Sequence, residues 1–180
     1  ENGELGVEYK ITATNSRALS STVTSSAVLS YSDALIPYTA FGTAVSNYRI
    51  ISMPLDLTSK SVNDVFVDDL GASDKTNWRM FSFDNAGNKN VEMGTSSTVE
   101  TGKGYWLLVK DSKNLDTGPG KTVTTSSTAP YSISLVSGWN LIGNPYNFNV
   151  LWDDVLTASG VTGLKLITYD GSYNDAGDTK

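Results

Sequence analysis

Apolar and polar positions alternate in short runs along this chain, and from Tyr48 onward those runs occur twice in the same order. The first copy reads Tyr48-Arg-Ile-Ile-Ser-Met-Pro54, then Ser61-Val-Asn-Asp-Val-Phe66, then Trp78-Arg-Met-Phe-Ser-Phe-Asp84. The second reads Trp139-Asn-Leu-Ile-Gly-Asn-Pro145, then Leu151-Trp-Asp-Asp-Val-Leu156, then Leu164-Lys-Leu-Ile-Thr-Tyr-Asp170. Each copy predicts an aromatic-led strand that stops before a proline, because proline has no N–H to give to a ladder. A short helix follows. Val62, Val65 and Phe66 in one copy, and Trp152, Val155 and Leu156 in the other, recur at i, i+3, i+4 and form one apolar stripe. Ser61 and Asn149 are the expected N-caps, since their side-chain oxygens can accept amide hydrogens of the first turn. An alternating strand then matches Phe81 and Phe83 with Ile167 and Tyr169, and ends in a turn, Asp84-Asn-Ala-Gly87 or Asp170-Gly171.

After its turn the first copy continues through residues 91–99 to Gly102-Lys-Gly-Tyr-Trp-Leu-Leu-Val109, passes a Gly/Pro turn at residues 118–120, and reaches residues 131–136. The second copy holds no counterpart of Gly104-Tyr105-Trp106. The half-repeats, about 48–138 and 139–180, are therefore unequal, and an incomplete repeat leaves strands unpaired. The expectation is a cut from a longer polypeptide; filling of the gap by residues 1–33 or by a neighbouring chain are the alternatives. The predicted fold is all-β: a sandwich-like domain of two related halves over residues 37–180, each half with one short helix. Ahead of it, residues 1–36 form a two-strand segment. Tyr9, Ile11 and Ala13 are expected on one face of its first strand, and residues 22–31 form its second β-prone run.

Composition narrows the chemistry. A net charge of −6 disfavours nucleic acid, whose phosphates need clustered Lys and Arg. No apolar run approaches the ~20 residues that span a bilayer. The chain has no Cys, which removes disulfides and thiolate chemistry, and no His, which removes the usual neutral-pH base and the commonest metal ligand. A Ser-His-Asp or Cys-His arrangement is impossible. Nine Tyr, five Phe and four Trp supply the bulk for a packed interior. Tyr48, Phe81, Phe83, Trp106, Trp139, Trp152 and Tyr169 are the expected core aromatics. A core Trp139 predicts a loss of about 3–5 kcal/mol in Trp139→Ala. Trp78, preceded by Lys75-Thr-Asn77, is the candidate ligand-binding ring.

Residues 6–15, followed by a Ser/Thr-rich strand, resemble the last two strands of a fibronectin type III or related immunoglobulin-like domain. An ordinary hairpin of the main domain is the other reading. The motifs Gly138-Trp-Asn-Leu-Ile-Gly-Asn-Pro145 and Gly102-Lys-Gly-Tyr-Trp106 resemble a repeat of large secreted and surface proteins of Bacteroidetes-type bacteria. The match spans roughly residues 48–173. The resemblance implies export and modular architecture, and no catalytic residues.

Three constellations remain. Gly118-Pro-Gly-Lys-Thr122 lacks the earlier glycine of a phosphate loop, Leu115 standing in its place, and reads as a turn. Asp170, Asn174, Asp175 and Asp178 are candidate calcium ligands, since a hard cation takes oxygen donors, although neither the EF-hand spacing nor its terminal Glu is present. Hairpin chemistry is the competing account. The pairs Asp68-Asp69 and Asp153-Asp154 point in different directions on a helix and cannot face each other across a cleft. The expected function is a non-catalytic extracellular structural or adhesive module of a larger secreted or cell-surface protein: a fibre, sheath or adhesin component. The alternative is an accessory carbohydrate-binding module of a secreted glycan-degrading enzyme. Expected partners are other chains of a surface assembly, other domains of the same polypeptide, or a glycan, without nucleic acid or membrane insertion. No cofactor is expected besides the candidate calcium.

Overall fold

The leading β-prone runs fold as an antiparallel pair, β1 (Glu8–Thr14) and β2 (Ser20–Ser26), with Ile11 opposite Val23. The computed structural model describes residues 8–14, 20–26, 28–124 and 130–175. The facing expected for Tyr9, Ile11 and Ala13 lies outside the described side chains. Among the described strands, β1 and β2 pair only with each other. The chain then enters the main body earlier than residue 37. Leu29 and Thr122 exchange hydrogen bonds, and Ile36 N–H donates to Leu115 O at 2.8 Å. Residues 29–36 are thus stitched to the larger domain, and Ile36 is 2% exposed in its core.

That body is all-β, with two short helices. In chain order it comprises β3 (Ser30–Tyr31), β4 (Arg49–Ser52), β5 (Asp56–Leu57), α1 (Val62–Leu70), β6 (Trp78–Asp84), β7 (Lys89–Glu92), β8 (Gly104–Val109), β9 (Gly120–Lys121), α2 (Trp152–Ser159), β10 (Ile167–Tyr169) and β11 (Tyr173–Asp175). A four-stranded sheet runs β4-β8-β6-β7, a three-stranded one runs β3-β9-β5, and β10-β11 is a separate hairpin; every described pairing is antiparallel.

One alternating run, bent at Pro54–Leu55, links the two larger sheets. Ile51, Met53, Leu55 and Leu57 alternate with polar or half-exposed neighbours and are all buried, so the same face stays inward from β4 through Pro54 to β5. Pro54 does end the first ladder, as expected, and the chain bends at Pro54–Leu55 and changes sheet, which is how sandwich corners are turned. Onto this run pack α1 and the inner face of the four-stranded sheet. Val62, Val65 and Phe66 are at most 1% exposed, and each such burial contributes roughly 1.5–3 kcal/mol. Ser61 caps α1 as expected, its Oγ accepting from the Asp64 N–H at 3.1 Å. The Gly118 turn is also present, with a positive φ of 65° that suits glycine.

The pleat of β6 runs opposite to expectation. Trp78 and Met80 face the core, paired with Val109 and Leu107 on β8, so Phe81 and Phe83 fall on the outer face and are only half-buried. A one-residue difference in phase moves every side chain to the other face. In the second copy, residues 139–145 form no strand, only a single bridge between Ile142 and Lys103. Asn149 does not cap α2. The cap position is Leu151, without a side-chain bond, and Asp153 and Asp154 in the first turn complement the helix dipole instead.

Candidate functional site

The two glycine motifs meet. Gly104 N–H donates to Leu141 O at 3.1 Å, and Gly143 N–H donates to Gly102 O at 3.0 Å. A Cβ on Gly104 would lie 2.6 Å from the Ile142 carbonyl oxygen, and one on Gly143 would overlap the Ser52 Cβ and lie 2.8 Å from Lys103 O. Both glycines are required by close backbone approach. The motif asparagines also serve the backbone. Asn140 bonds both the N–H and the C=O of Val136, and Asn144 accepts from Tyr146 N–H while donating to Phe148 O.

This crossing walls a groove of about 530 Å³ between the β6–β7 hairpin, the turn before β8, and the irregular segment 131–142. Its polar lining includes Asn85, Glu100, Lys103, Ser132 and Asn140. Tyr131 ties the segment down by donating to Thr101 O at 2.8 Å. Lys103 and Glu100 pair at 2.8 Å. Below them Tyr105 is 2% exposed; burial pushes its phenol up to about 12, against the lowering effect of the Glu100 N–H it accepts at 2.7 Å. Trp139 precedes the lining residue Asn140, and its backbone carbonyl is held by the Asn85 side chain. Its side chain is 64% exposed.

The outer face of the four-stranded sheet carries a second cluster. Ile50, Trp106, Phe81 and Glu92 lie opposite one another across four strands. The β10–β11 hairpin covers part of this row: Trp106 meets Tyr169 edge-on at 5.0 Å, and Tyr169 meets Tyr173 at 5.1 Å. Tyr169 also donates to Val45 O. Tyr48 packs edge-on against Phe81 at 6.0 Å. Arg79 sits 4.9 Å over the Phe81 ring and donates to Glu92 at 2.8 Å, with Lys75 on the other carboxylate oxygen at 2.9 Å. The Arg79 bond first, then that from Lys75, holds the Glu92 carboxyl down at about 2.

Several expected positions change. Trp139 is not a core residue, because residues 139–145 follow a backbone crossing at the surface instead of an inner strand. Tyr48, Phe81, Phe83, Trp106, Trp152 and Tyr169 are half-buried and outside the buried core; most of them line the outer sheet face. Trp78 is the reverse case: it is 5% exposed, with Nε1 donating to Gly71 O at 3.3 Å, and it packs as a core ring. Of the calcium candidates, Asp170 and Asn174 meet and Asp175 is engaged elsewhere. Asp170 accepts from the Asn174 amide at 2.9 Å, its carboxyl lowered chiefly by that bond, while Asp175 pairs with Lys165 at 3.3 Å. Successive strand residues point to opposite faces, which separates Asn174 from Asp175. Asp178 lies outside the described residues. Among the described residues, no three acidic side chains group to hold a metal. Of the acid pairs, Asp69 accepts from Asp116 N–H at 2.8 Å and its carboxyl is raised by burial.

Sequence reasoning missed the aliphatic core and the groove. The alternation of Ile51, Met53, Leu55 and Leu57 through Pro54 was the signal for the first. The second is made by distant segments, and no local pattern marks it. Among the described residues, no helix is long and apolar enough to cross a membrane. No protein-family model, curated protein or solved structure matches the chain.

Proposed function

We propose that this chain is a non-catalytic structural or adhesive module of a larger secreted or cell-surface protein, a component of a fibre, sheath or adhesin. The observation that carries this reading is the uneven distribution of exposed apolar surface. Of the eleven exposed large hydrophobics among the described residues, seven (Leu135, Val136, Trp139, Leu151, Val155, Val161 and Tyr173) lie in or beside the second copy, and Val28, Leu35, Val45 and Val91 lie elsewhere. Apolar side chains left at a surface are suited to burial against further protein where they gather into one patch. The absence of His and Cys from the sequence, and the likeness of its two glycine motifs to a repeat of exported bacterial proteins, support the same reading. Electron microscopy of the native material tests it: ordered filaments or sheaths are expected, and a monodisperse monomer with saturable sugar binding overturns it.

One observation favours a second reading, an accessory carbohydrate-binding module. The polar groove is lined by Asn140, and Trp139 next to it in sequence is exposed; a sugar requires an aromatic ring together with hydrogen-bonding side chains. A glycan array with wild type and Trp139→Ala tests this. Binding lost in the variant supports it, and absence of any sugar response rejects it.

A further inference from the structure

The inner face of β6 reads Trp78, Met80, Ser82, since alternate residues share a face. The first two are sealed in the core, but Ser82 is half-buried, and Val91, opposite it on β7, is 41% exposed. The sheet therefore continues past the core, with a small hydroxyl and an open valine where a third apolar pair would close it. Residues 131–134 form a facing wall. Gly102 lets them approach, since a Cβ there would lie 3.0 Å from the Tyr131 ring and 3.1 Å from Ile133. The groove of about 530 Å³ is the space between, within the ~300–1,000 Å³ usual for small-molecule sites.

Its polar groups fall into two sets. The three charged residues of the lining are already paired: Glu100 with Lys103 at 2.8 Å, and Glu92 with Arg79 at 2.8 Å and Lys75 at 2.9 Å. An ionic ligand would have to compete with one of these pairs. The neutral groups are less committed. Among the described residues the hydroxyls of Ser82, Thr98 and Ser134 have no hydrogen-bond partner, and the Asn85 amide spends its N–H on Trp139 O and leaves its oxygen open. A hydroxyl can both donate and accept, so this set matches a ligand whose own groups do the same. Val91 and Ile133 add apolar surface to the same lining. Hydroxyls around the edge of a ring and C–H groups on its face are the chemistry of a sugar without ionised groups.

We propose that this groove binds an uncharged saccharide, its hydroxyls held by Ser82, Thr98, Ser134 and Asn85 and its C–H face laid on Val91 and Ile133. The inference rests on the carbohydrate-binding reading above and adds the ligand class and the residues that select it.

The probes are three neutral disaccharides, maltose, cellobiose and lactose, and one acidic one, digalacturonic acid, each titrated into the full chain and followed by amide chemical shifts. Saturable binding of a neutral sugar is expected, with shifts gathered at residues 82–85, 91, 98 and 133–134, and none with the acidic sugar. Thr98→Ala combined with Ser134→Ala removes two exposed hydroxyls; with the melting temperature unchanged, it is expected to weaken binding about tenfold. The two readings fail separately. Absence of any response, on these probes and on a broad glycan array, rejects the carbohydrate reading and the proposal with it. Binding of the acidic sugar as tight as that of the neutral ones, shifts gathered elsewhere, or full affinity in the double variant rejects the proposal and leaves a carbohydrate-binding module standing.

Discussion

Val65 and Val155 hold the same place in two copies of one sequence pattern, yet one is 1% exposed and the other 38%. The helices that carry them are alike in length and in stripe. What differs is the neighbourhood. α1 faces β8 and the alternating run from Ile51 to Leu57, whereas no residue of α2 is buried. An apolar stripe thus sets what a helix can cover and leaves open how much it is covered. In a fold of short elements, most of the stability of each comes from what packs on it.

The largest effect expected of that contrast is at Phe66. Phe66→Ala empties a fully buried site and is expected to cost about 3–5 kcal/mol in chemical denaturation. A loss under about 1 kcal/mol would mean that the first copy is no better packed than the second. Next comes Gly143→Ala, which forces a Cβ against Ser52 and the Lys103 carbonyl. A loss of about 1–3 kcal/mol is expected, with exchange protection falling first around residues 139–145. Uniform loss across the chain would show that the crossing does not hold the second copy separately.

Tyr105→Phe ranks third. It strips the acceptor from the part-buried Glu100 N–H, at about 1–2 kcal/mol. Burial pushes the folded phenol up to about 12, against 10.0 for the free group. Its stabilisation is therefore full below pH 10 and is lost as the pH rises towards 12; melting curves of the variant should lack that share of the alkaline decline. Glu92→Gln is smaller. The folded carboxyl lies at about 2 against 4.5 for the free group, so the stabilisation is full above pH 4.5 and is lost as pH falls towards 2. With 26% of its side chain in solvent, screening limits the effect to about 0.5–1 kcal/mol. An acid limb unchanged by the substitution would remove the Arg79–Glu92–Lys75 group from the stability of the sheet. The smallest effect is expected for Trp139→Ala, below about 1 kcal/mol, since the ring is 64% exposed. The 3–5 kcal/mol expected of a core residue would place the ring inside after all.

Much of this architecture was legible in the residues. The i, i+3, i+4 spacing located both helices, Ser61 was the cap, and the Asp84 and Asp170 turns ended strands where expected. Local patterns repeat, so local structure repeats. What periodicity could not carry was phase and depth. In β6 both faces bear large side chains, and only the β8 register reveals that Trp78 and Met80, not Phe81 and Phe83, point inward. The groove was illegible for a related reason: Asn85 and Trp139 are joined across 54 residues of sequence. Aromatic size suggested core positions, but in this fold the sealed interior is mainly aliphatic, and the rings cover the outer sheet face.

The meeting of Ser52 with Gly143 has a consequence for the duplication itself. These residues are the fifth positions of their respective motifs, and they touch: Ser52 Oγ donates to Asn144 O at 3.2 Å, and its Cβ fills the space a side chain on Gly143 would need. Two identical copies would bring serine against serine, and the backbones would be held apart. Divergence at this position is therefore a steric condition of the halves closing on each other, and an enlargement on one side must be answered by a reduction on the other.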